Sequence, residues 1–329
     1  MIRPYIIIAA AVLLLAGCGA ENSKASGAAV DDPAKTESSS MKEENSTSAE
    51  NYTEVTADID PDTAEVSYLG PEGTYTQEAC GVFFGGKGSY VPYETVSDAV
   101  DALVKGESSF AVIPQENTIG GAVTDYVDIL ISTEEVSVVG EVELSINQNL
   151  LVLPDTELSD IKTVYSHKQG IAQGKEWLEA NLPDAEVIEV SSTAEGAKMV
   201  AEGSDKSCAA IASAACADVY GLEVEAAAIQ NNDSNKTRFY VLTTQPAPNA
   251  PAERTAFIAE GSAGSLPKLL GELEEQDITL VALHDRPRKT ELGEYDYVIE
   301  CENCPYEKYL VLENTTDLDL RFLGCFDAA

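Results

Sequence analysis

Apolar, strand-like runs alternate with helical patterns of apolar residues along the middle of the chain. Three successive pairs show the alternation: residues 66–69 and 76–84, residues 110–113 and 122–130, and residues 209–212 and 215–220. Strands that alternate with helices are typical of an α/β protein, in which helices pack on the faces of a sheet. We therefore predict an α/β domain over residues 66–244.

A second pattern follows residues 245–251, a proline-rich connector that breaks regular structure. The pattern predicts a strand, a helix and two further strands, and it ends in a last apolar run: residues 255–259, 266–275, 278–283, 295–301 and 320–324. We therefore predict a second, smaller α/β domain over residues 252–329.

The start of the chain has the pattern of a targeting signal. Arg3 precedes an apolar run at residues 5–15, and Leu15-Ala16-Gly17-Cys18 has the form of a lipoprotein signal-peptidase site. The run is shorter than the roughly 20 residues that span a bilayer, which disfavours the alternative of a permanent transmembrane helix. We predict a signal peptide at residues 1–17, a lipidated Cys18 and an extracytoplasmic protein that is anchored to the cell membrane.

The amino-acid composition predicts a disordered segment near the N-terminus and argues against some classes of binding partner. Residues 18–65 are rich in Ser, Glu, Asp and Thr and poor in large apolar residues, which predicts a disordered acidic segment. The whole chain has 20 Lys and Arg against 57 Asp and Glu, a formal charge of −37. Such an excess of negative charge argues against nucleic acid or anionic lipid as a partner.

Five segments between residues 66 and 244 form one recognisable set. They are Gly70-Pro71-Glu72-Gly73-Thr74, Pro114-Gln115-Glu116-Asn117-Thr118, Tyr165-Ser166-His167-Lys168-Gln169, Ala210-Ile211-Ala212-Ser213 and Thr237-Arg238-Phe239. In this order and spacing they resemble the prephenate dehydratase family. The resemblance implies two α/β lobes on either side of a cleft, as in type II periplasmic binding proteins. Lobe one would comprise residues 66–143 and 232–244, and lobe two the stretch between them.

The resemblance also implies a reaction, in which prephenate loses carbon dioxide and a ring hydroxyl to give phenylpyruvate. This chemistry needs a donor beside the leaving oxygen and neutral donors for the carboxylates, and we expect no cofactor or metal. Thr237 matches the threonine that the family assigns to the leaving hydroxyl. Phe239 lies two residues further on and is expected to wall the ring on the same side of the strand. Arg238 faces the other way, where it either orients substrate or, as we favour, pairs with a buried carboxylate.

Other family positions supply neutral groups for the cleft. Asn117, Ser166 and Gln173 match residues that bind substrate through uncharged donors, which hold a carboxylate without trapping its charge. Glu116 would repel a dianion unless it is already paired, so a structural and a functional role are equally open. Thr74 and Thr76 begin the first predicted helix and are expected either to contact substrate or to cap the helix.

The C-terminal pattern resembles the ACT regulatory domain, which implies a βαββαβ order. In that family two motifs form a phenylalanine pocket at a dimer interface. Gly264-Ser265-Leu266 and the Arg286-Pro287 half of the second motif match them, while His284-Asp285 departs from the pattern. We expect a phenylalanine effector and a homodimer or homotetramer, and the alternative is an ACT domain that only dimerises.

Histidines and cysteines limit other chemistries. The two histidines, His167 and His284, lie in different predicted domains, which argues against a histidine metal site or a serine triad. Cys301 and Cys304 have redox spacing without the strand-to-helix context that such motifs need. A disulfide between them, or from either one to Cys325, stays open in an oxidising compartment.

A solute-binding lipoprotein of a transporter or sensor is the main alternative function. Such proteins share the lipid anchor, the acidic tether and the two-lobed cleft. Ligand capture alone does not need Thr237 together with Asn117, Ser166 and Gln173, and an ACT domain is unexpected in a transporter subunit. We therefore favour the enzyme.

Overall fold

The computed structural model describes residues 52–329. The predicted signal peptide, Cys18 and most of the predicted tether lie outside the described residues. No helix between residues 52 and 329 has the length and apolar character needed to cross a bilayer.

Fifteen strands and nine α-helices make up the described part of the chain. The strands are β1 (Glu65–Leu69), β2 (Ser89–Tyr93), β3 (Phe110–Asn117), β4 (Gly121–Ala122), β5 (Ser137–Ser145), β6 (Asn149–Val152), β7 (Thr163–His167), β8 (Glu186–Val190), β9 (Cys208–Ala212), β10 (Glu223–Ala226), β11 (Lys236–Thr243), β12 (Arg254–Ser262), β13 (Thr279–Pro287), β14 (Glu294–Glu302) and β15 (Asp319–Phe326). The helices are α1 (Tyr75–Phe83), α2 (Val96–Val104), α3 (Thr124–Ser132), α4 (Lys168–Gln173), α5 (Lys175–Asn181), α6 (Thr193–Gly203), α7 (Ala215–Tyr220), α8 (Leu266–Glu275) and α9 (Tyr306–Thr315).

Local sequence explains where the helices begin and which face they bury. In α2, Val96, Val100 and Leu103 recur at helical spacing and are buried, while the side chain of Thr95 caps the helix by accepting from the Asp98 amide at 3.0 Å. Ser192 caps α6 in the same way, accepting from the Glu195 amide at 3.0 Å. These caps satisfy backbone donors that the first helical turn leaves free.

The first sheet forms lobe one, with strand order β2-β1-β3-β11-β5 and the short β4 paired to β3. Strands β1, β2 and β3 run parallel, whereas β11 lies antiparallel between β3 and β5. Strand β11 therefore enters the sheet late in the chain, after lobe two is complete. This topology places Thr237 beside residues that precede it by more than a hundred positions.

The second sheet forms lobe two, with strand order β10-β6-β9-β7-β8. The chain crosses from lobe one to lobe two between β5 and β6, and it returns between β10 and β11. The two crossings, residues 146–148 and 227–235, therefore connect the lobes. The predicted two-lobed α/β architecture is confirmed.

The C-terminal sheet has strand order β13-β14-β12-β15, and every pairing in it is antiparallel. Helices α8 and α9 complete a βαββαβ order, as the sequence predicts. Buried residues of both helices, among them Leu269 and Leu312, pack against Phe257 and Ile299 in one apolar cluster. The helices therefore cover one face of this sheet.

The other face of the C-terminal sheet packs directly on lobe one. Ile258 and Val298 of the C-terminal sheet share one buried cluster with Ile113, Tyr126 and Tyr240 of lobe one. A shared apolar core resists separation because opening it would expose these side chains to water. The C-terminal domain is thus part of the framework that supports β3 and β11.

Residues 52–64 differ from the disordered segment that composition predicts. They run as an extended arm along the domains: the Val55 amide donates to Asn249 Oδ1 at 2.7 Å, and the Tyr52 hydroxyl donates to Glu307 at 2.6 Å. Ala57 and Ile59 pack against the core of lobe one. Residues 52–64 are therefore part of the folded structure, because specific contacts offset the polar composition of the arm.

The cysteines within residues 52–329 are free, so neither alternative disulfide is present there. Cys301, Cys304 and Cys325 are buried around the C-terminal sheet. Burial raises the pKa of the Cys304 thiol to about 12. These thiols are accordingly small apolar core groups in the structure.

Candidate active site

Strand register brings Thr237 and Asn117 together. Thr237 lies opposite Asn117 in the antiparallel pair of β11 and β3. The side-chain amide of Asn117 donates from Nδ2 to the hydroxyl oxygen of Thr237 at 2.9 Å. Both residues line the cleft between the lobes. The structure thus joins the predicted catalytic residue to one predicted substrate-binding residue.

The orientation of the Asn117 amide is set by its other partners. Its Nδ2 also donates to Asn235 Oδ1 at 2.8 Å, and its Oδ1 accepts from the Ile119 and Gly120 amides at 3.0 and 2.9 Å. Thr237 Oγ1 therefore acts as an acceptor towards Asn117, which leaves its own hydrogen free to donate. A hydroxyl held in this way is a positioned donor at the cleft.

Lobe two contributes Gln173, which also lines the cleft as predicted. The buried Gln148 side chain donates from Nε2 to Gln173 Oε1 at 2.8 Å. With its oxygen engaged, Gln173 presents its Nε2 as a donor. Gln148 was not identified from the sequence, because it belongs to the crossing between β5 and β6 and to no recognised motif.

The cleft contains a cavity of about 240 Å³. Among the described residues that line it, none is Asp, Glu, Lys or Arg. The lining residues are Tyr75, Asn117, Ile146, Gln148, His167, Gln169, Gly170, Gln173, Ser191, Ser192, Thr193 and Thr237. Hydroxyls and amides dominate this set, so the cleft suits an anion that is bound through hydrogen bonds.

The N-terminus of α6 adds a feature that the sequence analysis missed. Ser192 caps the helix and lines the cleft together with Ser191 and Thr193. The free amides at the start of a helix favour a carboxylate or phosphate. The spacing of Ser192 and Glu195, a capping signature before an apolar helical pattern, was the available signal.

Arg238 points away from the cleft and pairs with three carboxylates. Its Nη1 lies 2.9 Å from Glu300 and 3.1 Å from Glu141, and its Nη2 lies 3.0 Å from Glu116. The structure therefore places Arg238 in the role that we favoured, pairing with buried carboxylates. Glu116 takes the structural alternative, because its charge is already paired.

The Arg238 cluster shifts the pKa values of its members. Burial and the neighbouring Glu300 raise the pKa of Glu141 to about 7, although Arg238 opposes the shift. Burial disfavours the charge on Arg238, but Glu300 and Glu141 outweigh it and raise the pKa of Arg238. The cluster therefore holds its guanidinium charged, while one of its carboxyl groups titrates near neutral pH.

Ser166 lies behind the cleft and does not line it. Its side chain is fully buried, and its hydroxyl donates to the Ile211 carbonyl at 2.7 Å. Gly170 packs so closely that an added Cβ would lie 2.5 Å from Ser166 Oγ. The predicted contact of Ser166 with substrate thus has no geometric support, because the hydroxyl joins β7 to β9 beneath helix α4.

Three other predicted contacts also lie outside the cleft lining. Phe239 faces the same side of β11 as Thr237, but it is buried in the core cluster that contains Ala79 and Cys80 of helix α1. The Thr74 hydroxyl donates to the Leu69 carbonyl at 3.2 Å, and Thr76 is buried. Neither threonine caps α1 through its side chain, since Thr74 holds the N-cap position without a cap hydrogen bond.

The loop at the start of α1 holds the two lobes together. The Gly73 amide donates to Gln77 Oε1 at 2.6 Å. The Gly73 carbonyl accepts from the Ser213 hydroxyl of lobe two at 2.7 Å, and the Glu72 carbonyl accepts from Tyr220 at 2.8 Å. This loop is therefore a contact between the lobes.

The predicted phenylalanine residues lie on two segments of the C-terminal domain. Gly264 and Ser265 form the turn that leads into Leu266 at the start of α8, whereas Arg286 and Pro287 end strand β13. In the described chain the guanidinium of Arg286 is engaged by Asp128 of lobe one, at 2.5 Å from Nε and 2.8 Å from Nη2.

Fold and site together define a two-lobed α/β enzyme with a donor-rich cleft between its lobes. The sequence model of the family described as prephenate dehydratase matches residues 66–247. The chain belongs to the prephenate dehydratase family, whose members are lyases.

Individual relatives agree with this assignment. The chain is 36% identical over 239 residues to a bifunctional chorismate mutase/prephenate dehydratase of Neisseria gonorrhoeae, covering 72% of this chain and 66% of that protein. It is 35% identical over 245 residues to the prephenate dehydratase of Corynebacterium glutamicum, covering 71% and 77%. The chain thus spans just under two thirds of the length of the bifunctional relative.

A solved structure shares the fold. The prephenate dehydratase of Arthrobacter aurescens, determined in complex with L-Phe, superposes with a TM-score of 0.71 at 28% identity. The match covers 80% of this chain and 89% of that one, so it includes the C-terminal domain as well as the two lobes.

Proposed function

We propose that this chain catalyses the decarboxylating dehydration of prephenate to phenylpyruvate, the step of phenylalanine biosynthesis in which the ring becomes aromatic. The observation that carries the proposal is the 2.9 Å hydrogen bond from Asn117 to Thr237 at an uncharged cleft. Family membership supplies the substrate, and the geometry supplies a donor where the leaving hydroxyl needs one.

The reaction balances with one proton from the enzyme. The bond from the ring to the departing carboxylate breaks, and its electron pair enters the ring as carbon dioxide leaves. The ring carbon–oxygen bond breaks at the opposite side, and the hydroxyl departs as water with the proton that Thr237 donates. Solvent returns a proton to Thr237. Aromatisation of the ring supplies most of the driving force, so a weak but well-placed acid suffices.

Uncharged surroundings favour this chemistry. The carboxylate that leaves must stay ionised until its electron pair moves into the ring, and a cation beside it would stabilise the reactant more than the transition state. Neutral donors such as Gln173 and the N-terminus of α6 bind anions without that penalty. The side chain of Ser192 and the amides behind it are suited to a carboxylate at the lobe-two wall.

Turnover of prephenate by two matched variants tests the proposal. Thr237→Ser keeps a hydroxyl, and Thr237→Ala removes it without adding charge. We expect the serine variant to retain most activity and the alanine variant to lose at least about tenfold in kcat, the low end for one positioned proton donor. Tight binding of prephenate without turnover by the unmodified protein would instead support the solute-binding alternative.

We also propose that the C-terminal domain is an ACT-like regulatory domain that binds phenylalanine in a homodimer or homotetramer. Its βαββαβ order and its strand order support the proposal. The relative from Arthrobacter aurescens, solved with L-Phe, covers the same region. Phenylalanine would then regulate the enzyme that makes phenylpyruvate, the precursor of phenylalanine.

Export and lipid attachment are a further part of the proposed function, supported by the signal-like residues 1–17 and Cys18. Expression of the chain and of Cys18→Ser with a radiolabelled fatty acid tests them. We expect label and membrane association for the unmodified chain and neither for the variant. If the two proteins were found in the membrane fraction to the same extent, the proposed lipid anchor at Cys18 would be wrong.

A further inference from the structure

One carboxylate of the C-terminal domain contacts both strands that carry the active-site residues. Glu300 lies on β14 and is almost fully buried. Its Oε1 accepts from Arg238 Nη1 at 2.9 Å, and its Oε2 accepts from Gln115 Nε2 at 2.8 Å and from the Tyr240 hydroxyl at 2.6 Å. Arg238 and Tyr240 belong to β11, and Gln115 belongs to β3.

These contacts meet at an irregularity in the pairing of the two strands. Arg238 lies opposite Glu116, but the next residue, Phe239, lies opposite Pro114. Gln115 therefore has no partner residue on β11, and the pairing is locally bulged. Bulges bend a strand and redirect the side chains next to them. Thr237 and Asn117 are the next pair along, at the cleft.

We infer that Glu300 is a positioning residue for the dehydratase reaction, holding this bulge so that Thr237 and Asn117 keep their geometry at the cleft. The inference rests on the proposed function for its kinetic readout. Among residues 52–329, the hydrogen bonds of Glu300 go to Arg238, Gln115 and Tyr240, which do not line the cleft, so its influence passes through these neighbours. The C-terminal domain thereby supports catalysis through one buried carboxyl side chain.

We call the contacts of Glu300 with Arg238, Gln115 and Tyr240 the Glu300 clamp, and its loss is expected to be costly. Without the Glu300 carboxyl, Arg238 would keep Glu141 and Glu116 as partners but would lose its contact with β14. Gln115 is fully buried, and its Nε2 has Glu300 as its partner. A buried donor that loses its partner is costly, so replacing the Glu300 carboxyl would weaken both contacts at the bulge and let the strand relax.

Kinetics of four proteins test the inference: the unmodified chain, Glu300→Gln, Thr237→Ala and the double variant. We expect Glu300→Gln to lower kcat on the order of tenfold with KM unchanged, since small misplacements of a catalytic group are costly. In the Thr237→Ala background the same change should cost less than about twofold, because residues that act as a unit are not additive. Equal losses in both backgrounds would overturn the inference.

Matched controls separate positioning from folding. Glu302→Gln removes an exposed carboxylate from the same strand, and we expect its kcat to stay within about twofold of the unmodified protein, as for surface changes. Tyr240→Phe keeps the buried ring and removes only the hydroxyl that holds Glu300. We expect it to lower kcat about threefold without unfolding the protein. Unchanged kcat in Tyr240→Phe, with Glu300→Gln folded and fully active, would contradict the clamp.

Hydrogen exchange gives a readout that does not need turnover. In Glu300→Gln we expect faster amide exchange in residues 236–240 than in Glu302→Gln. If the unmodified chain does not convert prephenate but this difference is present, the proposed function fails and the clamp stands. Equal protection of β11 in the two variants would overturn the clamp whatever the substrate is.

Discussion

The side chain of Asn117 donates a 2.9 Å hydrogen bond to the hydroxyl of Thr237, across two strands that lie 120 residues apart in the sequence. This contact turns an ordinary strand threonine into an oriented donor. Asn117 fills one acceptor site of the hydroxyl oxygen, so the hydroxyl hydrogen points elsewhere, and the cleft is the space that remains. If Thr237 is the proton donor of the proposed reaction, Asn117 is the residue that orients it.

Replacing Asn117 by Asp should impair catalysis while it preserves the local turn. Asp keeps the oxygen that accepts from the Ile119 and Gly120 amides, but it loses the donor to Thr237 and adds negative charge beside an anionic substrate. We expect kcat/KM to fall by at least about a hundredfold, since donor and charge effects combine. Steady-state kinetics with prephenate measure the change, and circular dichroism checks the fold. Activity near that of the unmodified protein would show that Asn117 does not orient the Thr237 hydroxyl for the reaction.

The Glu141 carboxyl should make stability fall as the pH rises. Its pKa is raised from 4.5 to about 7, first by burial and then by Glu300. Between these values the folded protein keeps a proton that the unfolded chain releases, so rising pH favours unfolding. The slope from this group is at most about 1.4 kcal/mol per pH unit. Above about pH 7 the contribution is lost.

Urea unfolding between pH 4.5 and 8 tests this expectation. Glu141→Gln should remove the slope that Glu141 contributes and should be more stable relative to the unmodified protein at pH 8 than at pH 5. Glu143→Gln is the matched control, because Glu143 lies on the same strand but is exposed and paired with Lys236. A profile of Glu141→Gln that parallels the unmodified protein would refute the shift.

The arm at residues 52–64 should stabilise the folded chain through Asn249. Asn249 accepts from the Val55 amide at 2.7 Å and donates to the Thr53 carbonyl at 3.2 Å. We expect Asn249→Ala to lower the free energy of unfolding by about 0.5–1.5 kcal/mol in a chain that begins at residue 52, because partly buried backbone groups lose their hydrogen-bond partners. In a chain that begins at residue 66 the same substitution should cost clearly less. Equal costs in the two chains would mean that the arm does not use Asn249.

Phenylalanine binding should compete with the contact between Arg286 and Asp128. If the Arg286 guanidinium binds phenylalanine, removing its contact with Asp128 should strengthen that binding. Exposed ion pairs of this kind contribute up to about 1 kcal/mol. We therefore expect Asp128→Ala to tighten phenylalanine binding about two- to fivefold by calorimetry. Asp218→Ala, which removes an exposed acid from lobe two, should leave the affinity unchanged. Absence of heat with phenylalanine in all three proteins would eliminate the effector.

Much of the fold follows from local pattern. The apolar runs at residues 66–69 and 209–212 become β1 and β9 within one residue, and the helix predicted at 215–220 is α7. These elements agree because strand and helix periodicities depend on neighbours in the sequence. The prediction of a disordered tether is wrong for residues 52–64. Composition indicates whether a segment can fold by itself, but it does not show that the segment can pack against the surface of a neighbouring domain.

Motif matching predicted Thr237, Asn117 and Gln173, which line the cleft, and also Ser166 and Phe239, which are buried and do not line it. The distinction depends on what covers each side chain. Phe239 does share a strand face with Thr237, as period-two alternation requires. Helix α1 covers that face from Phe239 onward, and only the packing of α1 on the sheet reveals it.

The sequence by itself determined the order of strands and helices, the family motifs and an uncharged set of candidate donors, because these properties reside in neighbouring residues and in residue type. Tertiary structure decided which donors meet, that the C-terminal sheet shares a core with lobe one, and that Glu300 reaches Arg238 from 62 positions away. Contacts of that kind depend on how separate elements pack, and packing is a property of the whole folded chain.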